Sequence, residues 1–338
     1  MHPLDFVARS FRSSIKIVIL LVLLGAFSLP TLAQGNKPTN SQTVIADYSN
    51  NGLNTPNALA VAADGSVFIV DSGNNRVVEE PWNSRTKTYG TQTTVSSDLF
   101  NPSGVAVSTT GSLFIVDTGN NRLVVLPWNQ SSGAYGQEAT LGSGLNSPMG
   151  VAVAPGGSVY IADTGNNRVV EIPFDRHTGA YGPQTTVGVE LFNPLGVAFG
   201  EGGKVYIANS GNSSVLEVPA GCDASHRCTS QTIVADQAKN GLSYPRDLVV
   251  SSSGNLYVTQ PNNNQVILLP RDSATSSYRA PAEVGKDLDG PNGVALDAAG
   301  NVDIADTRNN RVLKIAPQQT GNRQSGRPAG NMPRRRPY

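Results

Sequence analysis

Asn101-Pro-Ser-Gly-Val-Ala-Val107, followed after three residues by Gly111-Ser-Leu-Phe-Ile-Val-Asp-Thr-Gly-Asn-Asn-Arg122, is one copy of a pattern that recurs six times in this 338-residue chain. The prolines that anchor the copies are Pro56, Pro102, Pro148, Pro194, Pro245 and Pro291, spaced by 46, 46, 46, 51 and 46 residues. Short apolar runs punctuated by Gly and Asn at a period in the mid-forties are the mark of four-stranded blades set around an axis. The pattern predicts an all-β, six-bladed β-propeller.

The second copy parses into strands over 104–108, 112–117, 122–127 and 137–141, with a turn over 128–136. Its strands are nearly continuous apolar runs, as expected where neighbouring blades bury both faces of a sheet. The first strand-like stretch, Gln42-Thr-Val-Ile-Ala46, matches the fourth strands of later copies, Gln92-Thr-Thr-Val95 and Gln184-Thr-Thr-Val187, whereas the last copy stops after its third strand near Ala316. The N-terminal strand is therefore expected to complete the last blade and close the ring, which removes two sheet edges. The domain reading is 1–33 signal peptide, 34–41 linker, 42–316 propeller and 317–338 a disordered basic tail rich in Pro and Arg.

Charge is uneven. Residues 34–316 hold 17 Lys and Arg against 24 Asp and Glu, a net of −7, although the whole chain is formally neutral. An acidic body argues against nucleic acid as partner, because that affinity comes mainly from neutralising phosphates. Arg9, Arg12 and Lys16 precede an apolar run from Ile17 to Leu29 and the small residues of Thr31-Leu-Ala33. This predicts export, periplasmic or extracellular, with no transmembrane segment left after cleavage; an uncleaved anchor is the alternative. The two cysteines, Cys222 and Cys228, fall in one connector and are expected to form a disulfide in an oxidising compartment. A metal role has only His226 nearby to support it.

Asn146–Val153 with Val159–Val170 resembles the NHL repeat, and the likeness extends over roughly residues 42–316. It is most similar to bacterial secreted NHL proteins and to the extracellular sensor propellers of receptor kinases. The resemblance implies the propeller but no single function, since such propellers include ligand sensors, RNA-binding scaffolds, amidating lyases and calcium-dependent lactonases.

Within the repeat, an acid ends the second strand and an Arg begins the third: Asp71 and Arg76, Asp117 and Arg122, Asp163 and Arg168, Asp306 and Arg311. The fourth copy has Asn209 and Ser214 there, the fifth Gln260 and Gln265, so acid and base are lost together. That joint loss predicts structural turn pairs, with the acid also able to accept backbone N–H groups of the Gly-Asn-Asn turn. Chain direction puts these turns on one rim with the connectors before the prolines, two of which are long, 46–56 and 235–245. Added length on a rim of minimal turns is where binding specificity is usually placed.

The residues just after the prolines face the axis. Arg246 and Asp247 interrupt a series of small or apolar residues and glycines. Together with Asn57 and Asn292 they would form a polar side opposite Met149 and Leu195, and Gln260 is a further departure from the repeat. An apolar wall with convergent polar groups is a ligand-site pattern, with Asn57, Arg246, Asp247, Gln260 and Asn292 as candidates; alternatively Arg246 and Asp247 simply pair and plug the channel.

Lyase chemistry on a metal would call for several inward histidines, but the mature chain has only His177 and His226, both on the opposite face. No His is placed to activate a Ser or Cys nucleophile. Asp247, Asn292 and Asn57 offer some of the hard oxygens that calcium requires, without a Glu. The expectation is a monomeric, non-enzymatic exported binding or scaffold propeller that recognises a protein, peptide or envelope glycan through its rim, with no cofactor and no catalytic residue. The alternative is a calcium-dependent lactonase-like or hydrolase-like propeller.

Overall fold

In four of the copies the second strand is a five-residue run beginning with Val or Leu and ending in Asp, buried at every position: Val67–Asp71, Leu113–Asp117, Val159–Asp163 and Val302–Asp306. A strand hidden on both faces must lie inside its own sheet and between two others. The computed structural model, which describes residues 41–219 and 231–317, builds this into a six-bladed β-propeller. Among the described residues there are six four-stranded antiparallel sheets. The second blade, for example, runs Gly104–Val107, Leu113–Asp117, Arg122–Leu126 and Ala139–Leu141 from the axis outward. The expected signal peptide, Cys222, Cys228, His226 and the basic C-terminal segment lie outside the described residues. No helix among the described residues is long and apolar enough to cross a membrane.

The ring closes as the repeat phase requires. Gln42–Asp47 pairs antiparallel with Arg311–Ile315, from Gln42 opposite Ile315 to Asp47 opposite Arg311. Two features are finer than the sequence parse. The stretch read as a turn over 128–136 contains a small hairpin, Trp128–Asn129 against Ala134–Tyr135, and blades 1 and 3 have the same device. The long rim connectors each hold a single helical turn, Tyr48–Asn51 and Gln237–Asn240, with Asp47 and Asp236 accepting at the N-cap.

Apolar side chains collect in the seams between blades. Phe68 and Val70 of blade 1 meet Leu113 and Ile115 of blade 2, and corresponding clusters fill the other seams. Each fully buried Val, Leu or Ile contributes about 1.5–3 kcal/mol. At the axis the inner strands pack backbone to backbone. A Cβ added to Gly150 would lie 2.5 Å from the Leu195 carbonyl oxygen, and one on Gly104 2.6 Å from that of Met149.

The repeated Asp-Ser/Thr-Gly-Asn-Asn-Arg segment welds the blades together. Asp117 Oδ1 accepts the Phe100 N–H, 2.7 Å away in the connector of its own blade, and Oδ2 accepts Asn120 Nδ2 and Arg122 Nε. The four acid–base pairs span 2.6–2.7 Å with the carboxylates fully buried. Asn209 and Gln260 keep the backbone part of this role, accepting the N–H of Phe192 and Ser243. The backbone N–H groups bound are thus those of the connector rather than of the Gly-Asn-Asn turn. The hydroxyl after the acid donates to the next blade: Thr118 Oγ1 to the Pro148 carbonyl, Thr164 to Pro194 and Thr307 to Pro56. The left-handed residue of each turn, Asn in five blades and Ser213 in the fourth, accepts a connector N–H of the next blade, as Asn121 does from Ser147, Asn310 from Thr55 and Ser213 from Tyr244.

Candidate functional site

Each first strand enters the ring just after its rim proline, so the residue following the proline is carried to the axis. Asn57, Ser103, Met149, Leu195, Arg246 and Asn292 all line one cavity of about 40 Å³, joined by Asp247. In blades 1, 4 and 6 the register with the second strand shifts at this point, between Pro56 and Ala58, Pro194 and Val197, and Pro291 and Gly293. A bulge there turns a side chain out of the ladder. A space this small, little more than the volume of one water molecule, admits only the head of a ligand.

Blades 5, 6 and 1 make its polar side. Arg246 Nη2 donates to Asn57 Oδ1 over 2.7 Å, so the guanidinium reaches past blade 6. Asp247 stands where blades 2, 3, 4 and 6 have Gly104, Gly150, Gly196 and Gly293. That position points at the next blade, and the carboxylate bridges to it: Oδ2 accepts the Val294 N–H at 3.1 Å, while Oδ1 accepts that of Leu248 at 2.9 Å. Both side chains keep part of their surface open to the channel but have protein on every side. Burial pushes the Asp247 carboxyl up to about 6, against the pull of those two N–H groups and of the Arg246 charge. Burial also lowers Arg246 from its ordinary value, an effect opposed by the charges of Asp247 and Tyr244.

Thr259 supports this arrangement and was not singled out from the sequence. Its hydroxyl accepts the Asp247 N–H and donates to the Asn292 carbonyl, both at 2.9 Å. The signal was present: Thr259 is the one polar residue at a position otherwise held by Val70, Val116, Ala162, Ala208 and Ala305. Blade 5 also has Pro261 where the other blades have the welding hydroxyl, and Thr259 makes the inter-blade bond in its stead. Gln260 does not line the cavity; it is buried, and its side-chain carbonyl accepts the Ser243 N–H. His177 is exposed on a hairpin of the third blade, away from the axial cavity.

The donor set does not suit calcium, which takes six to eight oxygens. Asn57 Oδ1 already accepts from Arg246, both Asp247 oxygens accept backbone N–H groups, and a guanidinium stands where a cation would enter. Among the described residues no group of three or more His, Cys, Asp or Glu side chains could hold a metal ion. What the arrangement can do is hold an oxyanion against Arg246 and exchange a proton at Asp247.

Residues 101–126 and 145–172 match the NHL repeat family model. The two matched segments fall in the second and third blades. No curated protein matches the sequence. Among solved structures, the propeller is similar to a gluconolactonase from Xanthomonas campestris, at 15% identity and a TM-score of 0.61 over 81% of this chain and 89% of that one. It is similar to virginiamycin B lyase from Staphylococcus aureus, at 12% identity and a TM-score of 0.57 over 82% and 99%. It also resembles a luciferin-regenerating enzyme, at 14% identity and a TM-score of 0.61 over 82% and 96%. These similar propellers are enzymes, and that finding corrects the expected non-enzymatic binding or scaffold role. At such identities the likeness itself is one of fold, and the substrates of those enzymes remain theirs.

Proposed function

We propose that this NHL propeller is a hydrolase acting at the axial cavity on small carbonyl compounds of the lactone or ester class, without a metal ion. The observation that carries the reading is the adjacent pair Arg246 and Asp247, a guanidinium fixed by Asn57 beside a carboxyl pushed up to about 6, both lining the axial cavity. A general base works best with a pKa near the operating pH, and fixed positive donors aimed at developing negative charge are the largest single aid to acyl transfer. The enzymatic propellers of similar fold, a gluconolactonase among them, support the same class.

In the proposed reaction, ionised Asp247 takes a proton from a water molecule as its oxygen bonds to the substrate carbonyl carbon. The carbonyl π electrons move to oxygen, and the guanidinium of Arg246 holds the resulting oxyanion with the help of its bond to Asn57. Collapse re-forms the carbonyl and breaks the ring C–O bond. Asp247 then returns its proton to the departing alkoxide, leaving a hydroxy acid.

The test is titration of acid release from a panel of γ- and δ-lactones and simple aryl esters, with protein pretreated with EDTA. Turnover that survives EDTA and falls about 100-fold or more in Arg246→Met supports the reading. No turnover across the panel, or turnover indifferent to Arg246, would overturn it.

A further inference from the structure

The face opposite the axial rim carries grooves between blades, and two of them differ in charge while sharing their aromatic build. Between blades 2 and 3, a cavity of about 570 Å³ is lined by Phe114, Phe174 and Tyr181 with Arg176. Between blades 1 and 2, one of about 260 Å³ is lined by Phe68, Trp128 and Tyr135 with Asp64 and Glu79. In the second groove Trp128 and Tyr135 rings meet at 4.9 Å, and the Tyr135 ring meets Phe68 edge-on at 6.5 Å. Asp64 is exposed and Glu79 half-buried, and among the described residues neither makes a salt bridge. Burial, and then the charge of Asp64, raise the Glu79 carboxyl above its ordinary range. Two carboxylates held together beside three aromatic rings form a site short of a cation.

The chain itself supplies one on the same face. The third strand of blade 6, Arg311–Ile315, runs away from the axial rim, and Pro317 after it sits against the turn at Gly300 that joins the first two strands of that blade. The equivalent turn of blade 1, Ala62 to Ser66, forms one wall of the acidic groove. The last described residue is therefore one blade away from it. Residues 318–338 follow, including Pro328 and Pro333-Arg-Arg-Arg-Pro-Tyr338. In the extended polyproline conformation these 21 residues would reach about 65 Å. Aromatic-lined grooves flanked by acids are how proline-rich basic segments are recognised, because such segments lose little entropy on binding.

We propose that the groove between blades 1 and 2 is a docking site for the chain's own Pro- and Arg-rich segment, residues 327–338, with Trp128 and Tyr135 packing on proline and Asp64 and Glu79 pairing with arginine. The neighbouring groove, with Arg176 in place of the acids, excludes the segment by charge.

The experiment titrates a fluorescein-labelled peptide of residues 327–338 into three full-length chains by anisotropy. The first is unaltered, the second has Arg334, Arg335 and Arg336 each changed to Ser, and the third adds Asp64→Asn and Glu79→Gln to the second. The second chain should bind saturably, and the unaltered chain at least about tenfold more weakly, since a tethered segment competes at millimolar effective concentration. The third chain should lose binding while keeping the melting temperature of the second. Arg176→Glu in the second chain should leave affinity at the groove between blades 1 and 2 unchanged. Equal binding to the first and second chains, no binding to the second, or full binding to the third would overturn the proposal. So would capture of the unaltered chain through its basic segment by vesicles containing anionic lipid with none of this dependence on Asp64 and Glu79.

Discussion

Arg246 Nη2 donates to Asn57 Oδ1 at 2.7 Å, tying the inner strand of blade 5 to that of blade 1 past the intervening blade. The bond fixes the guanidinium over the axial cavity, where a mobile one would have to be ordered at the moment of reaction. Asn57→Ala should therefore lower kcat for a hydrolysed lactone by about tenfold, less than Arg246→Met, because it loosens the cation without removing it. Steady-state kinetics on the three proteins, with melting temperatures as a check on folding, test this order.

Asp247 and Asp303 make stability depend on pH in an unusual direction. Burial raises their carboxyls to about 6 and about 7, so the folded protein holds both protons more tightly than the unfolded chain does. Their contribution is complete below the unfolded carboxylate pKa near 4 and is lost as pH rises through 6 and 7. Melting temperature, followed from pH 5 to 8, should fall with rising pH in the unaltered protein and fall less in Asp247→Asn. Parallel curves would remove the claim for Asp247.

Blade 6 replaces an aromatic with a charge. Asp303 occupies the position of Phe68, Phe114, Tyr160, Tyr206 and Tyr257, and Lys314 lies opposite it, 3.0 Å from Asp303 and 2.8 Å from Asp297. Removing one partner of a buried pair costs about 3–5 kcal/mol, while an apolar pair of similar size is often tolerated. Lys314→Met should thus be strongly destabilising above pH 7 and less so at pH 5, where Asp303 takes up a proton. Asp303→Phe combined with Lys314→Met should recover most of the loss in urea denaturation.

The rim acids carry more than their ion pairs. Asp117→Ala leaves the Phe100 N–H, Asn120 and Arg122 without their acceptor and should cost about 2–4 kcal/mol. Arg122→Met removes only a half-exposed partner and should cost about 1 kcal/mol or less. Asp117→Asn should fall between them, since Asn209 shows that an amide keeps the backbone bond. Chemical denaturation of the three variants gives the order.

Much of the fold was legible because strand, turn and proline recur in phase: Pro56 to Pro291 count the blades, and Gln42 falls where the last copy lacks a strand. The seams that weld the blades were not. A period shows which residues recur, but the bond from Thr164 to the Pro194 carbonyl or from Asn121 to the Ser147 N–H joins neighbouring copies that only the closed ring brings together. The axial site was half legible. Asn57, Arg246 and Asn292 share the cavity because the residue after each proline must face the axis, and Asp247 joins them as the neighbour of Arg246. Gln260 looked similar as a departure from the repeat, yet it ends a second strand and serves the Ser243 connector. Direction of the side chain, which an interrupted repeat does not encode, separates the two cases.

The proposed hydrolysis stands most directly on one measurement, the pH profile of kcat/KM for a lactone turned over by the EDTA-treated protein and by Asp247→Asn. The account predicts a rate that rises with pH through about 6 in the unaltered protein, as Asp247 ionises, and a rate lowered at least about 100-fold with that step gone in the variant. A profile flat through this range in the unaltered protein, or the same step retained in Asp247→Asn, would contradict it.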